Sequence, residues 1–278
     1  MRHARLLLLL PAPSITGLGL CAEGPLPGVT DAARARGAEV AREMIAAAGG
    51  MERWNAIRDA SFALRTTAFN TGPTGSLVTS IQAEFTKSPR PTLRLDVPQG
   101  KSIQTKVFDG LEAWMAVDGV LLQRGDATYR RIRDSARMYF LWIAFPFNLV
   151  DPGTTVEHLG TGVVSGQEVD LLQVRFGEES GTVATDDLRR FAVSRLTHLT
   201  VKEEYFLRGE RENKVETVYG DYHEVAGVLK DHLREIVSSV DGRPLQRIEV
   251  HDLQLGEHLA RDRFRKPAGP TPPDPTRR

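Results

Sequence analysis

The stretch Phe108-Asp109-Gly110-Leu111-Glu112-Ala113-Trp114-Met115-Ala116-Val117-Asp118-Gly119 holds two Asp-Gly pairs among apolar residues. Asp-Gly between apolar runs is a strong hairpin signal, because both residues tolerate the positive φ that a tight two-residue turn needs. The pairs separate three strands, 102–108, 112–117 and 119–123. Strands joined by such short turns run antiparallel. Working outward, period-two alternation begins at Ser61 and predicts strands at 61–69, 76–86 and 92–97. The later half returns to the pattern at 154–160, 167–176, 189–194, 197–206, 213–222, 229–239 and 244–255, with Asp241-Gly242 before the last.

Two helical insertions interrupt this meander. The first runs over 31–48, where Val40, Met44, Ile45 and Ala48 form one apolar stripe. Thr30 or Asp31 can cap it, and Gly49-Gly50 stops it, since glycine readily takes the left-handed geometry after a helix end. A short turn over 51–57 follows and carries Trp54 and Ile57. The second insertion spans about 126–143. The fold class is therefore α+β, a long antiparallel sheet with helical insertions.

The chain begins Met1-Arg2-His3-Ala4-Arg5, continues with an apolar run from Leu6 broken by Pro11 and Pro13, and reaches small residues by Ala22. Basic, apolar, then small is the order of an export signal, placed at 1–22. Cys21, the single cysteine of 278 residues, ends the run Gly17-Leu18-Gly19-Leu20. Two readings of it stay open. It is the lipidated first residue of a lipoprotein, although Leu20 departs from the small residue a lipobox prefers, or it is discarded with the signal. Either way the remaining chain holds no cysteine, which excludes disulfides and thiolate-bound zinc. The expected compartment is the periplasm, with the protein soluble or anchored to the outer membrane through Cys21.

Lysine plus arginine and aspartate plus glutamate both number 36, so the formal net charge is zero, which argues against a general nucleic-acid footprint. After the signal no apolar run is long enough for a membrane span. The end, 266–278, is Pro-rich and reads as a disordered tail.

Residues that could carry chemistry are scattered. His3, His158, His198, His223, His232, His251 and His258 show none of the spacings that bring two ligands onto one helical face, so no metal site is expected. Gly160-Thr161-Gly162-Val163-Val164-Ser165-Gly166 has the wrong spacing for a nucleophile elbow and precedes a strand rather than a helix, so it reads as a hairpin turn. The pairs Glu178-Glu179, Asp186-Asp187 and Glu203-Glu204 read as solubility features, because neighbours on a strand point to opposite faces. Neither catalysis nor a cofactor is expected.

The most apolar stretch of the mature chain is Met138-Tyr139-Phe140-Leu141-Trp142-Ile143-Ala144-Phe145-Pro146-Phe147, which follows Arg130, Arg131, Arg133 and Arg137. Ile132, Ala136, Tyr139 and Ile143 make a helical stripe, with Phe140 and Trp142 off it. A helix apolar nearly all round is buried on several sides. Either the sheet simply wraps around it as core, or it partly fills an apolar cavity and moves when a lipid enters.

Three segments together resemble the LolA-like carriers of the bacterial periplasm. They are the helix ending Ala46-Ala47-Ala48-Gly49-Gly50 with Trp54 and Ile57 after it, the hairpin Phe108–Trp114, and the closing run from Tyr219-Gly220-Asp221-Tyr222-His223-Glu224-Val225-Ala226-Gly227 to Phe264 and Pro267. One departure is Lys230-Asp231-His232, where relatives often have a proline. The resemblance implies a single domain over 31–265, built as a strongly curved, unclosed antiparallel half-barrel with helices in its concave face. It also implies a hydrophobic ligand, a lipid or acyl chain, held without catalysis. Trp114, Tyr139, Phe140, Trp142, Phe145 and Phe147 are the candidate lining. An envelope sensor that forms a stable protein complex and a hydrolase of unknown substrate are the alternatives.

Overall fold

The computed structural model of the chain describes residues 30–69, 75–87, 91–122, 125–177, 188–206, 214–239 and 242–267. The signal segment with Cys21, the pairs Glu178-Glu179 and Asp186-Asp187, Asp241 and the last eleven residues lie outside them. Two helices open the described chain, α1 (Asp31–Ala47) and α2 (Met51–Ala56). Six strands follow: β1 (Asp59–Phe69), β2 (Ser76–Thr86), β3 (Thr92–Gln99), β4 (Ser102–Phe108), β5 (Ala113–Val117) and β6 (Val120–Leu122). Helix α3 (Asp126–Ala144) and a 3₁₀ turn (Phe147–Val150) lead to β7 (Thr155–Val164), β8 (Gln167–Arg175) and β9 (Leu188–Ser194). The chain closes with β10 (Thr200–Phe206), β11 (Lys214–Val225), β12 (Val228–Val237) and β13 (Pro244–Leu255).

All thirteen strands form one sheet in the order β6-β5-β4-β3-β2-β1-β13-β12-β11-β10-β9-β8-β7. Every pairing is antiparallel. The chain starts at the middle of the sheet, meanders to one edge, crosses along α3 to the other edge and meanders back. The edges β6 and β7 do not pair, so the sheet is a curved, open half-barrel. Register shifts at Ser61/Ala63, His158/Gly160, Thr200/Lys202 and Ile236/Val237 are the kind of irregularity that bends a strand and raises its twist.

The turns behave as their residues require. Asp118 and Gly119 both have positive φ, 49° and 78°, and the Asp118 carboxylate accepts from the Ile103 amide at 2.8 Å. The Asp109 carboxylate accepts from the amides of Leu111 and Glu112. Thr30 caps α1 by accepting from the Ala33 amide. The segment 160–166 departs from the sequence reading. Strand β7 continues to Val164 and only Ser165-Gly166 turns, because Gly160, at φ 121°, takes up the register shift and the pairing resumes beyond it.

The helices cover the concave face. Val40, Ala41 and Met44 of α1 pack with Leu172, Val174 and Phe191, while Ile45 and Trp54 join the larger cluster of Phe62, Phe85, Leu93 and Phe147. In β3 the buried residues are Leu93, Leu95 and Val97, every second position. Trp54 stacks on Phe147 with ring centroids 4.8 Å apart.

Two segments distant in sequence meet where α1 ends. Gly49 has φ 110° and lies against the Gly227 backbone so closely that a Cβ there would sit 2.2 Å from the Gly227 carbonyl oxygen. The Leu229 amide donates to the Ala48 carbonyl at 3.0 Å, and Arg53 donates to the Gly227 carbonyl at 3.1 Å. Glycine alone fits both the conformation and the approach.

Candidate functional site: a cavity under helix α3

Between α3 and the sheet lies a cavity of about 280 Å³. Its sheet wall is made largely by period-two pairs, Leu64 and Thr66 on β1, Thr79 and Ile81 on β2, and Gln246 and Ile248 on β13, with Ile236 of β12 beside the last. Its helical wall is Met138, Tyr139, Leu141 and Trp142, with Phe145 just beyond the helix. Met138 is 38% exposed, so the cavity opens beside it.

The six aromatic residues singled out from sequence divide evenly. Tyr139, Trp142 and Phe145 line the cavity. Phe140 faces Phe85, with ring centroids 5.3 Å apart. Phe147 is 1% exposed and stacks on Trp54. Trp114 sits in a separate cluster with Val107, Ala116 and Phe264.

One part of the wall is charged. Arg189 donates to the Glu203 carboxylate, which also accepts from the Tyr219 hydroxyl. Both Arg189 and Glu203 are buried, at 6% and 5% exposure. Burial opposes the Arg189 charge, but Glu203, with smaller contributions from Tyr219 and Tyr205, offsets that and holds the guanidinium above its usual value. Burial pushes Tyr219 well up, and Tyr139 up to about 12, so both are neutral hydroxyls. Arg234 is held by both oxygens of Asp231. Its guanidinium lies 4.0 Å from the Trp142 ring centroid and 4.6 Å from that of Tyr219, tying α3 to the sheet by cation–π contact.

Glu203-Glu204 is therefore not a solubility feature. Glu204 is as buried as Glu203 and faces the other side of the sheet, where Lys202 pairs with it and with Glu216. The sequence contains a signal that reading by neighbouring pairs passes over: on β10, Glu203 shares its face with Val201 and Tyr205, so it sits on an inward face.

The end of α3 is fastened by Lys230. Its Nζ donates to the carbonyls of Ile143 at 2.9 Å and Phe145 at 2.7 Å. Ile143 is in the last turn of the helix and Phe145 caps it, where the helix has no amides of its own to offer these carbonyls. Burial lowers this lysine to about 8, with Asp231 partly opposing the shift.

Of the histidines, His158 bonds Asp170 at 2.8 Å, and Arg36 of α1 reaches the same carboxylate at 3.4 Å, joining helix to sheet. Among the described residues no group of three or more His, Cys, Asp or Glu is placed to hold a metal, and no helix is long and apolar enough to cross a membrane.

Compared by sequence, the chain matches no protein-family model and no curated protein. Compared by structure, it is similar to a DUF1329 family protein from Desulfovibrio piger, at 12% identity over 84% of this chain and 97% of that one, with a TM-score of 0.55. A LolA superfamily protein from Nitrosomonas europaea aligns at 12% identity over 82% and 97% of the two chains, with a TM-score of 0.52. A domain from Vibrio parahaemolyticus described as an outer membrane lipoprotein-sorting protein aligns at 12% identity over 83% and 97%, with a TM-score of 0.51. By its open half-barrel and the helices in its concave face, the chain has the fold of these LolA-like proteins.

Proposed function

We propose that this is an exported envelope protein, one LolA-like domain over 31–265, that shelters an acyl chain of a lipid or lipoprotein under α3 without catalysing a reaction. The observation that carries this reading is the cavity itself: about 280 Å³, reaching the exposed Met138, and walled mostly by aliphatic and aromatic side chains, counting Met138 and three tyrosines among them. That is near the lower end of pockets that hold small ligands, ~300–1,000 Å³. Burial of an acyl chain is favourable by about 0.8 kcal/mol per CH₂. A long chain gains on the order of 10 kcal/mol before ordering costs, so a helix that competes for the same wall makes release feasible. The fold shared with a protein described as lipoprotein-sorting supports the same reading.

Trp142 provides the test. It is only half-buried and faces the cavity, so Trp142→Ala should cost less than the ~3–5 kcal/mol of a fully buried ring. It should nevertheless change lipid uptake at temperatures where the variant stays folded. In a version with Trp54 and Trp114 replaced by Phe, added lipid should alter the Trp142 emission. Normal lipid binding by Trp142→Ala, with no spectral response in the single-Trp version, would leave α3 a plain core helix.

Envelope placement has its own test. If Cys21 is lipidated, Cys21→Ser should move the protein from the membrane to the soluble periplasmic fraction. An unchanged soluble distribution identifies GLGLC as part of a discarded signal, and a chain retaining Met1 in the cytosol overturns export.

A further inference from the structure

We infer that the cavity is matched to an uncharged acyl ester or amide, whose carbonyl oxygen accepts a hydrogen bond from Arg189, rather than to a free fatty acid or a bare hydrocarbon. This rests on the reading of the cavity as an acyl site and adds the polar end of the ligand to it.

The first observation is an incomplete hydrogen-bond set. Arg189 lines the cavity and is 6% exposed. Its Nη1 donates to Glu203. Among the described residues its Nη2 has only the Met138 sulfur as acceptor, at 3.6 Å, and its Nε has no hydrogen-bond partner, while the guanidinium lies 5.0 Å from the Tyr205 ring centroid. A thioether is a weak acceptor, and guanidinium is a donor that cannot shed its protons. A buried donor left unmet is costly, and a ligand oxygen would remove that cost. Met138 is exposed and unbranched, so its side chain can move aside and leave Nη2 to an oxygen arriving through the opening.

The second observation is charge. Two guanidinium groups, Arg189 and Arg234, face two carboxylates, Glu203 and Asp231. Tyr139 and Tyr219 stay neutral. Each guanidinium of the wall thus already has its carboxylate, although Asp231 itself stands outside the cavity lining. A carboxylate or phosphate brought beside Glu203 would add an unpaired buried anion, which is expensive. A carbonyl needs a donor and no countercharge. The aromatic and aliphatic remainder of the wall accepts the chain.

The experiment compares methyl palmitate, hexadecyl methyl ether and palmitate at neutral pH, by displacement of a fluorescent probe from the full mature chain. The ester is expected to bind on the order of tenfold more tightly than the ether, and palmitate more weakly than the ester. In the double variant Arg189→Met with Glu203→Gln, which leaves neither charge unpaired, the preference for ester over ether should vanish. The wild-type protein alone gives a second readout. The carbonyl stretch of isotope-labelled methyl palmitate should fall to lower frequency on binding, as for a hydrogen-bonded ester. Equal binding of ester and ether, or a bound stretch like that in hydrocarbon, overturns the role of Arg189 while the acyl site stands. Tightest binding by palmitate overturns the uncharged head. Binding of none of the three overturns the acyl site itself.

Discussion

Gly49→Ala should destabilise the protein by on the order of 4 kcal/mol, close to the whole margin of a marginal fold. Two costs combine. The residue has φ 110°, a conformation that strains any side chain, and its new Cβ would stand 2.2 Å from the Gly227 carbonyl oxygen. Neither side can yield freely, since Ala48 and Leu229 are hydrogen-bonded across the same junction. Gly50 is the internal control: its φ is 88°, but nothing lies within 4 Å of the position its Cβ would take. Gly50→Ala should therefore show the conformational cost alone, on the order of 1–2 kcal/mol. Urea unfolding of the two variants separates strain from collision. Equal losses would mean that the approach to Gly227 is not what demands glycine.

Stability should rise with pH through Lys230. Its folded value is about 8 against an ordinary 10.5. A lysine depressed in this way holds fewer protons folded than unfolded, so raising the pH favours the folded state between those two values. The rise from this site between pH 8 and pH 10 should be about 2 kcal/mol. Lys87 is also lowered to about 8 by burial and adds to the wild-type curve. Tyr219 and Tyr222, raised by burial, act oppositely above about pH 10. Subtracting the curve of Lys230→Met isolates the site. The variant leaves the carbonyls at the end of α3 without their donor and should cost about 3 kcal/mol at pH 10, where the wild-type amine is neutral. The gap should be about 2 kcal/mol smaller at pH 8. A gap independent of pH would mean that Lys230 titrates normally.

Much of the architecture was legible because its determinants are local. Asp118-Gly119 fixes a turn by its own backbone preferences, and Leu93, Leu95 and Val97 declare a face by alternation alone. The site was legible in part. Aromatic density around α3 marks a buried helix, but it does not say which face meets packed side chains and which meets open space. Tyr139 and Trp142 are three residues apart and share a face, whereas Phe140 lies one step round and meets Phe85. Arg189 and Arg234 went unread and Glu203 read as a solubility feature because the three come from three strands, and only the register brings them together. Lys230 was visible as a departure from a pattern, yet its partners lie more than eighty residues earlier.

The central pairing of β1 with β13 has a consequence for biogenesis. Ala60 opposes Leu255 and Thr66 opposes Ile248, so the seam joins the first strand to the last among the described residues. Leu64, Thr66, Gln246 and Ile248 flank that seam and are also cavity wall. Each meander can zip locally from its hairpins, but closing the seam encloses everything between Ala60 and Leu255 in one loop, the kind of contact that forms slowly. Under the proposed export, a chain emerging from a translocation pore would have both wings before it had the cavity. Competence to hold cargo would then arrive only with the final strand, and a nascent or C-terminally truncated chain would be unable to capture lipid on its way out.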